Sequence, residues 1–266
     1  MTVLTRIAPP FAFGSRAGRV IERNLMVYRR TWLVIVSGFF EPLFYLLGIG
    51  FGLGTLVGAV TGPGGQPVPY GVFVAPGLLA SSAMNGAIYD STFNVFFKLR
   101  YARTYDAMLS TPLGIGDVAL GEVAWALIRG TLYATGFLAV MALLGLVRSP
   151  WIVLALPGAM LIGFAFAAVG MAATTFMRSW TDFDWIFVVI LPLFLFSATF
   201  YPIETYPEAL RAVIGLTPLY HGVDLLRSLS LGVIGPGLLV HVAYLGAMGL
   251  AGLWVVSRRL DRLLLK

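Results

Sequence analysis

Apolar residues run along this chain in long blocks, separated by short clusters rich in Arg, Pro and Gly. Six blocks stand out, at 32–58, 72–97, 118–147, 151–177, 185–200 and 235–257. A helix needs about 20 apolar residues to cross a bilayer, and a lipid core offers the backbone no water partner, so each block is expected to be helical. The fold class that follows is all-α: a polytopic membrane protein of six transmembrane helices in one domain spanning 1–266. The fifth block is short, about 24 Å of helix against a core of about 30 Å. It is expected to stop at Pro202, below the far surface.

Two segments outside the blocks also carry a helical pattern. In residues 14–31, Arg16, Arg19, Arg23 and Arg30 share one helical face, with Ala17, Ile21, Leu25 and Tyr28 opposite. That pattern predicts a helix lying flat on the membrane interface, as a plain anchor or as a contact for a partner. In residues 201–232, Thr205 and Glu208 form a capping-box spacing, and Pro207 fits a first helical turn. Gly215 ends that helix, and Thr217-Pro218 begins another running to about Leu231. The pair predicts a re-entrant hairpin before the last span, with Asp224 and Arg227 placed to pair at i and i+3.

Charge orients the spans. The chain is 59% hydrophobic, 11% charged and +6 overall, with a mean hydropathy of +0.88. Its basic residues gather before the first block, at Lys98, Arg100 and Arg103, at Arg178 and in the tail. The positive-inside rule therefore places both termini in the cytoplasm and 201–232 outside. Surplus positive charge in such a chain suits anionic lipid headgroups rather than nucleic acid. The start of the chain shows no short apolar core with a small-residue cleavage site, so no cleaved signal peptide is expected.

Four charges fall inside the blocks: Glu41, Asp90, Glu122 and Arg129. Such charges face protein or water rather than lipid. Glu122 and Arg129 lie about 10 Å apart along one helix, so each needs a partner elsewhere, on another helix or across a subunit interface. They are either interhelical ties or part of a transport path. Glu41-Pro42 predicts a kink in the first span.

Catalytic chemistry finds little support. There are no cysteines and two histidines, so thiol nucleophiles, zinc-thiolate sites and a three-histidine metal site are excluded. No phosphate-binding Gly-x-x-x-x-Gly-Lys-Ser/Thr is present. Ser228, His221 and Asp224 have no spacing that singles them out as a triad. Proton-coupled transport through Asp90, Glu122 or Asp224 is the alternative reading, as an ion-coupled secondary transporter, although no internal repeat supports it.

Two stretches carry a family resemblance: KLRYARTYDAMLSTPLGIGDVALGEVAWALIRG between the second and third spans, and SATFYPIETYPEALRAVIGLTPLYHGVDLLR before the sixth. With the order of spans around them, they resemble the membrane subunits of type-2 ATP-binding-cassette exporters. The likeness is nearest to permeases for lipo-oligosaccharide nodulation factors and daunorubicin-type drugs, and it covers nearly the whole chain. It implies a bacterial plasma-membrane permease moving an amphiphile. It also implies partners: two copies of a P-loop ATPase and a second permease subunit, identical or related. This chain would bind no cofactor, and the ATPase would use ATP and Mg. Residues 101–112 would form the coupling helix, with Arg103, Thr104, Tyr105, Asp106, Met108 and Leu109 contacting the ATPase. Tyr105 and Met108 would fill its groove, and Arg103 and Asp106 would orient the contact. The hairpin residues Tyr201, Pro202, Glu204, Pro207, Pro218, Tyr220, His221, Asp224 and Arg227 would form an external gate or a fixed plug. Phe196, Phe200, Tyr201, Tyr206 and Tyr220 would either stack on sugars or drug rings or form an ordinary interfacial belt.

Overall fold

The structure is a computed structural model that describes residues 16–30, 33, 40 and 42–264. Glu41 and most of the first part of the 32–58 block lie outside the described residues, and of Arg30 and residues 261–264 only the backbone is described.

Ten helices follow one another among the described residues: α1 (Ala17–Arg30), α2 (Pro42–Val57), α3 (Tyr70–Tyr101), α4 (Thr104–Leu109), α5 (Ile115–Leu143), α6 (Ala155–Thr174), α7 (Phe183–Leu195), α8 (Glu208–Gly215), α9 (Pro218–Leu231) and α10 (Gly237–Leu264). The loop between α2 and α3 folds into a small antiparallel hairpin, Ala59–Thr61 against Pro67–Pro69, which the all-α reading lacked. Four helices are long and apolar enough to cross a membrane: Tyr70–Tyr101, Ile115–Leu143, Pro150–Thr174 and Gly237–Leu260. The apolar stretch Pro42–Val57 is shorter.

Local chemistry sets the ends. α5 starts where the Asp117 carboxylate accepts the Gly114 N–H at 2.9 Å. Before α6, the Ser149 hydroxyl accepts from the Trp151 N–H, with Pro150 in the first turn. Asp182 accepts the N–H groups of Arg178 and Ser179 at 2.6 and 3.1 Å, capping the turn into α7. α9 runs from Pro218 to Leu231, as its sequence predicts, and ends on Gly232 in the left-handed conformation, φ 79°.

The expected capping box at Thr205 does not form. Thr205 closes a tight turn, its hydroxyl donating to the Pro202 carbonyl at 2.7 Å, and Pro207 rather than Thr205 precedes α8. A proline at the boundary, with φ already fixed, displaces the cap by two residues. α7 is also shorter than its apolar block. It ends at Leu195, three residues past an internal Pro192, and the chain bends through 196–202.

The core centres on α3, enclosed by α5, α6 and α9, with α10 laid along α6. Small residues set the α6–α10 distance. A Cβ on Gly249 would sit 2.2 Å from the Phe164 ring, and one on Gly252 would sit 2.8 Å from the backbone of Ala168. Without a hydrophobic drive between helices in lipid, such close backbone approach supplies the packing.

Candidate functional site

Two ion pairs bind α3 to α5. The Lys98 ammonium meets Glu122 at 2.7 Å, and the Arg129 guanidinium meets Asp90 at 2.7 Å. All four side chains are largely buried. Eight residues forward on α3 match seven residues backward on α5, so the helices run antiparallel with complementary charges on successive rungs. Each helix therefore supplies one acid and one base, two turns apart, and neither Glu122 nor Arg129 needs a partner from another subunit.

α1 closes the ladder from the side. The Asn24 amide donates to Glu122 and its carbonyl oxygen accepts from Lys98 at 3.1 Å. The Tyr28 hydroxyl accepts from Arg129 at 2.6 Å and from the Asn94 amide at 3.1 Å. Tyr28 also lies under the guanidinium, 4.6 Å from ring centroid to Cζ. Asn94 in turn donates to Asp90 at 2.9 Å. Val20, Asn24 and Tyr28 form the packed face of α1, and Val20 presses on Gly121, where a Cβ would come within 2.6 Å.

Leu25, expected on the apolar face opposite the arginines, is exposed along with Met26, while Val20, Asn24 and Tyr28 are the residues of α1 that pack on α5. Arg16 and Arg19 do point outward, Arg19 pairing with Glu22 at 2.7 Å, and Arg23 is half-buried beside Asn24.

Beside the Asp90–Arg129 rung opens a groove of about 680 Å³, lined by α1, α2, α3, α5 and α7. Its chemistry is two-sided. Asn85, Ser81, Ser82 and the ion pair make a polar floor, while Tyr45, Tyr89, Phe93, Phe187 and Phe194 face it. The Asn85 carbonyl oxygen is buried with no partner among the described residues. Because the charged rung is internally neutralised, the floor offers hydrogen bonds rather than net charge. An aromatic wall over a neutral polar floor suits an amphiphile.

α4 follows Arg103, held in the left-handed conformation at φ 44°. Tyr105 and Met108 are buried in this chain's own core. They cannot also fill a groove on another subunit, so that expected role is corrected. Asp106 and Ala107 point outward on this short helix and Arg103, just before it, is exposed, with Thr104 and Leu109 half-buried.

The 201–232 segment forms a second polar cluster. Arg227, 3% exposed, donates to three carbonyls: Phe73 at 3.1 Å, Ala198 at 2.8 Å and Thr199 at 3.1 Å. Its guanidinium lies 3.8 Å from the Phe73 ring centroid. It pins α9 to the start of α3 and to the bend after α7, where Ala198 has φ 56°. The expected Asp224–Arg227 pair is not made. Asp224 turns to His241 of α10, at 3.0 Å, and His241 meets His221. Tyr201, Glu204 and Pro207 are exposed, and Pro202, Pro218 and Tyr220 are half-buried. No triad with Ser228 is assembled. Sequence reading missed Asn24, Tyr28, Asn85, Lys98 and His241. For Lys98, a signal existed in its eight-residue spacing from Asp90.

Comparison with known proteins places these features in context. The model of the ABC-2 type transporter family matches residues 17–231. Nodulation protein J of Rhizobium meliloti is 36% identical over 86% of this chain and 85% of its own length. Nodulation protein J of Rhizobium leguminosarum bv. viciae is 35% identical over 85% of this chain and 86% of its own. A probable multidrug ABC transporter permease of Escherichia coli is 26% identical over 61% of this chain and 44% of its own length.

Proposed function

We infer the working of this chain from one premise: it belongs to the ABC-2 type transporter family, as the membrane permease subunit of an ABC exporter, working with an ATPase partner. The rest is our reading. Six spans cross a bacterial plasma membrane with both termini in the cytoplasm. α2 and α7, with the bend after it, supply the two spans beyond the four long helices. α8 and α9 form a re-entrant hairpin on the outer side, acting as gate or plug. Two copies of a P-loop ATPase bind ATP and Mg beneath two permease subunits, identical or related. Arg103 and Asp106 on the outer face of α4 meet the ATPase.

The groove takes the substrate, an amphiphile such as a lipo-oligosaccharide, glycolipid or hydrophobic drug. The observation that carries this reading is the groove's construction: an aromatic wall over a floor with one unpartnered carbonyl, sharing Arg129 with α1. A headgroup donor satisfies the Asn85 carbonyl, and rings or an acyl chain lie against Phe187 and Phe194. Arg129 touches the groove and also holds Tyr28, so occupancy bears directly on how α1 is seated.

The test is reconstitution with a candidate partner ATPase, followed by ATP hydrolysis across a panel of glycolipids and aromatic drugs. Asn85→Leu is expected to raise the half-stimulating concentration of the best amphiphile about tenfold, the worth of one hydrogen bond of ~1.4 kcal/mol. An unchanged half-stimulating concentration removes the groove as the substrate site. Uptake driven by a proton gradient without ATP removes the exporter reading in favour of a secondary transporter.

A further inference from the structure

The chain's two histidines, twenty residues apart, lie together where α9 meets α10. The Nδ1 atoms of His221 and His241 are 2.7 Å apart, and the rings sit 5.0 Å apart. On its far side, His241 places Nε2 3.0 Å from the Asp224 carboxylate. His221 is buried and stacks on Tyr244, 4.0 Å between centroids. Tyr244 in turn donates to the Leu216 carbonyl at 2.8 Å. None of these groups belongs to the groove or to the ion ladder.

Proton counting limits what this cluster can be. Asp224 accepts only, so it fixes a proton on His241 Nε2. In a neutral ring, His241 Nδ1 then carries a lone pair aimed at His221 Nδ1. A contact of 2.7 Å requires one proton between the two Nδ1 atoms. The pair keeps that bond when neutral, with His221 donating. It also keeps the bond after taking up one further proton on His221 Nε2, which leaves the shared proton in place and a cation beside Asp224. A second added proton puts N–H against N–H, and the bond becomes a repulsion.

We propose that His221, His241 and Asp224 form a proton-binding latch between α9 and α10, closed by a shared proton and released when both rings become imidazolium. The surrounding charged and titratable groups are Tyr220 and Arg227 on α9, Tyr244 on α10, and Glu204 in the preceding turn. α6, also packed against α9, carries no titratable residue. Burial and the neighbouring ring both push His221 below its ordinary value of 6.5, while Asp224 opposes them. The sign follows: a histidine lowered on folding leaves the unfolded chain with more bound protons. Stability of the contact is therefore complete above about pH 6.5 and declines as pH falls through that value.

The latch is tested on the wild-type chain in lipid nanodiscs, labelled with ¹⁵N-histidine and titrated between about pH 8 and pH 5. With two histidines, every signal belongs to the pair. The expected result is a through-bond coupling between the Nδ1 atoms at neutral pH, and two proton-uptake steps separated by more than about one unit. Independent single titrations near the ordinary histidine value, or no coupling, overturn the proposal. So does stoichiometric binding of Zn²⁺ added alone that replaces the shared proton. A second measurement places spin labels at Leu216→Cys and Leu239→Cys, both exposed, in a chain without other cysteines. The inter-label distance is expected to lengthen on acidification, and to stop responding in His221→Gln and His241→Gln. An unchanged distance in the wild-type background also overturns it. Neither measurement needs the ATPase, so failure of the latch and failure of the export reading are separate outcomes.

Discussion

At the scale of single residues, Asp90, Glu122 and Arg129 are each paired within the chain, and their loss should be felt in pairs. Glu122 is nearly sealed from solvent beneath Lys98. Removing one member of such a pair strands a buried charge, at a cost of about 3–5 kcal/mol, whereas replacing both with apolar groups is often neutral. Lys98→Met alone is expected to lower the melting temperature in detergent substantially, and Lys98→Met with Glu122→Leu to recover most of that loss. Equal melting temperatures for the single and double variants would show that the two side chains are not coupled. The sequence announced that Glu122 and Arg129 needed partners, and the matching spacings on α3 and α5 even encoded the register. What it could not announce was the role of Asn24, a polar residue on an amphipathic helix that is ordinarily read as facing water, or of the Tyr28 hydroxyl, on a residue placed with the apolar face. His241 was invisible for a different reason: its partner lies twenty residues away on another helix, and no local pattern joins them.

At the scale of elements, α4 shows why a short motif needs its surroundings. Its position between two spans was legible from the Arg and Pro flanking it, but which side faced outward was not. With six residues, one apolar face is too brief to say whether it meets a partner or the parent chain. Tyr105 and Met108 anchor the helix inward, and Asp106 remains outside. The two faces predict different failures. Met108→Ala should leave a cavity and cost about 2–5 kcal/mol of stability, read as a fall in melting temperature. Asp106→Ala should leave melting unchanged and lower amphiphile-stimulated ATP hydrolysis by the partner. Loss of stability from Asp106→Ala, or none from Met108→Ala, would reverse the two faces. For α8 and α9 the helix boundaries were largely readable, since Pro, Gly and Thr punctuate them. The Arg227 contacts were not, because carbonyl acceptors on Phe73, Ala198 and Thr199 exist only once the chain has folded.

At the scale of the whole molecule, apolar blocks and basic loops together set out a membrane architecture before any contact was known. Four blocks became helices of spanning length. The fifth did not, because its helix ends at Leu195, where the chain bends. The arrangement across the bilayer is open to a direct measurement, since the chain has no cysteine of its own. Gly64→Cys in the α2–α3 hairpin should react with an impermeant maleimide from outside intact cells, and Asp106→Cys only after permeabilisation. The opposite pattern would invert the topology. The two-rung ladder also has a mechanical consequence. Sliding α5 along α3 by two turns would bring Glu122 to Asp90 or Arg129 to Lys98, like charge on like charge in a low-dielectric interior. Every smaller slip breaks both rungs. With α1 bolted to the same rungs, these three helices should travel as a single rigid plate. The walls free to change the groove's width are then α2 and α7, and on the proposed reading a transport cycle would be a movement of those two against a fixed floor.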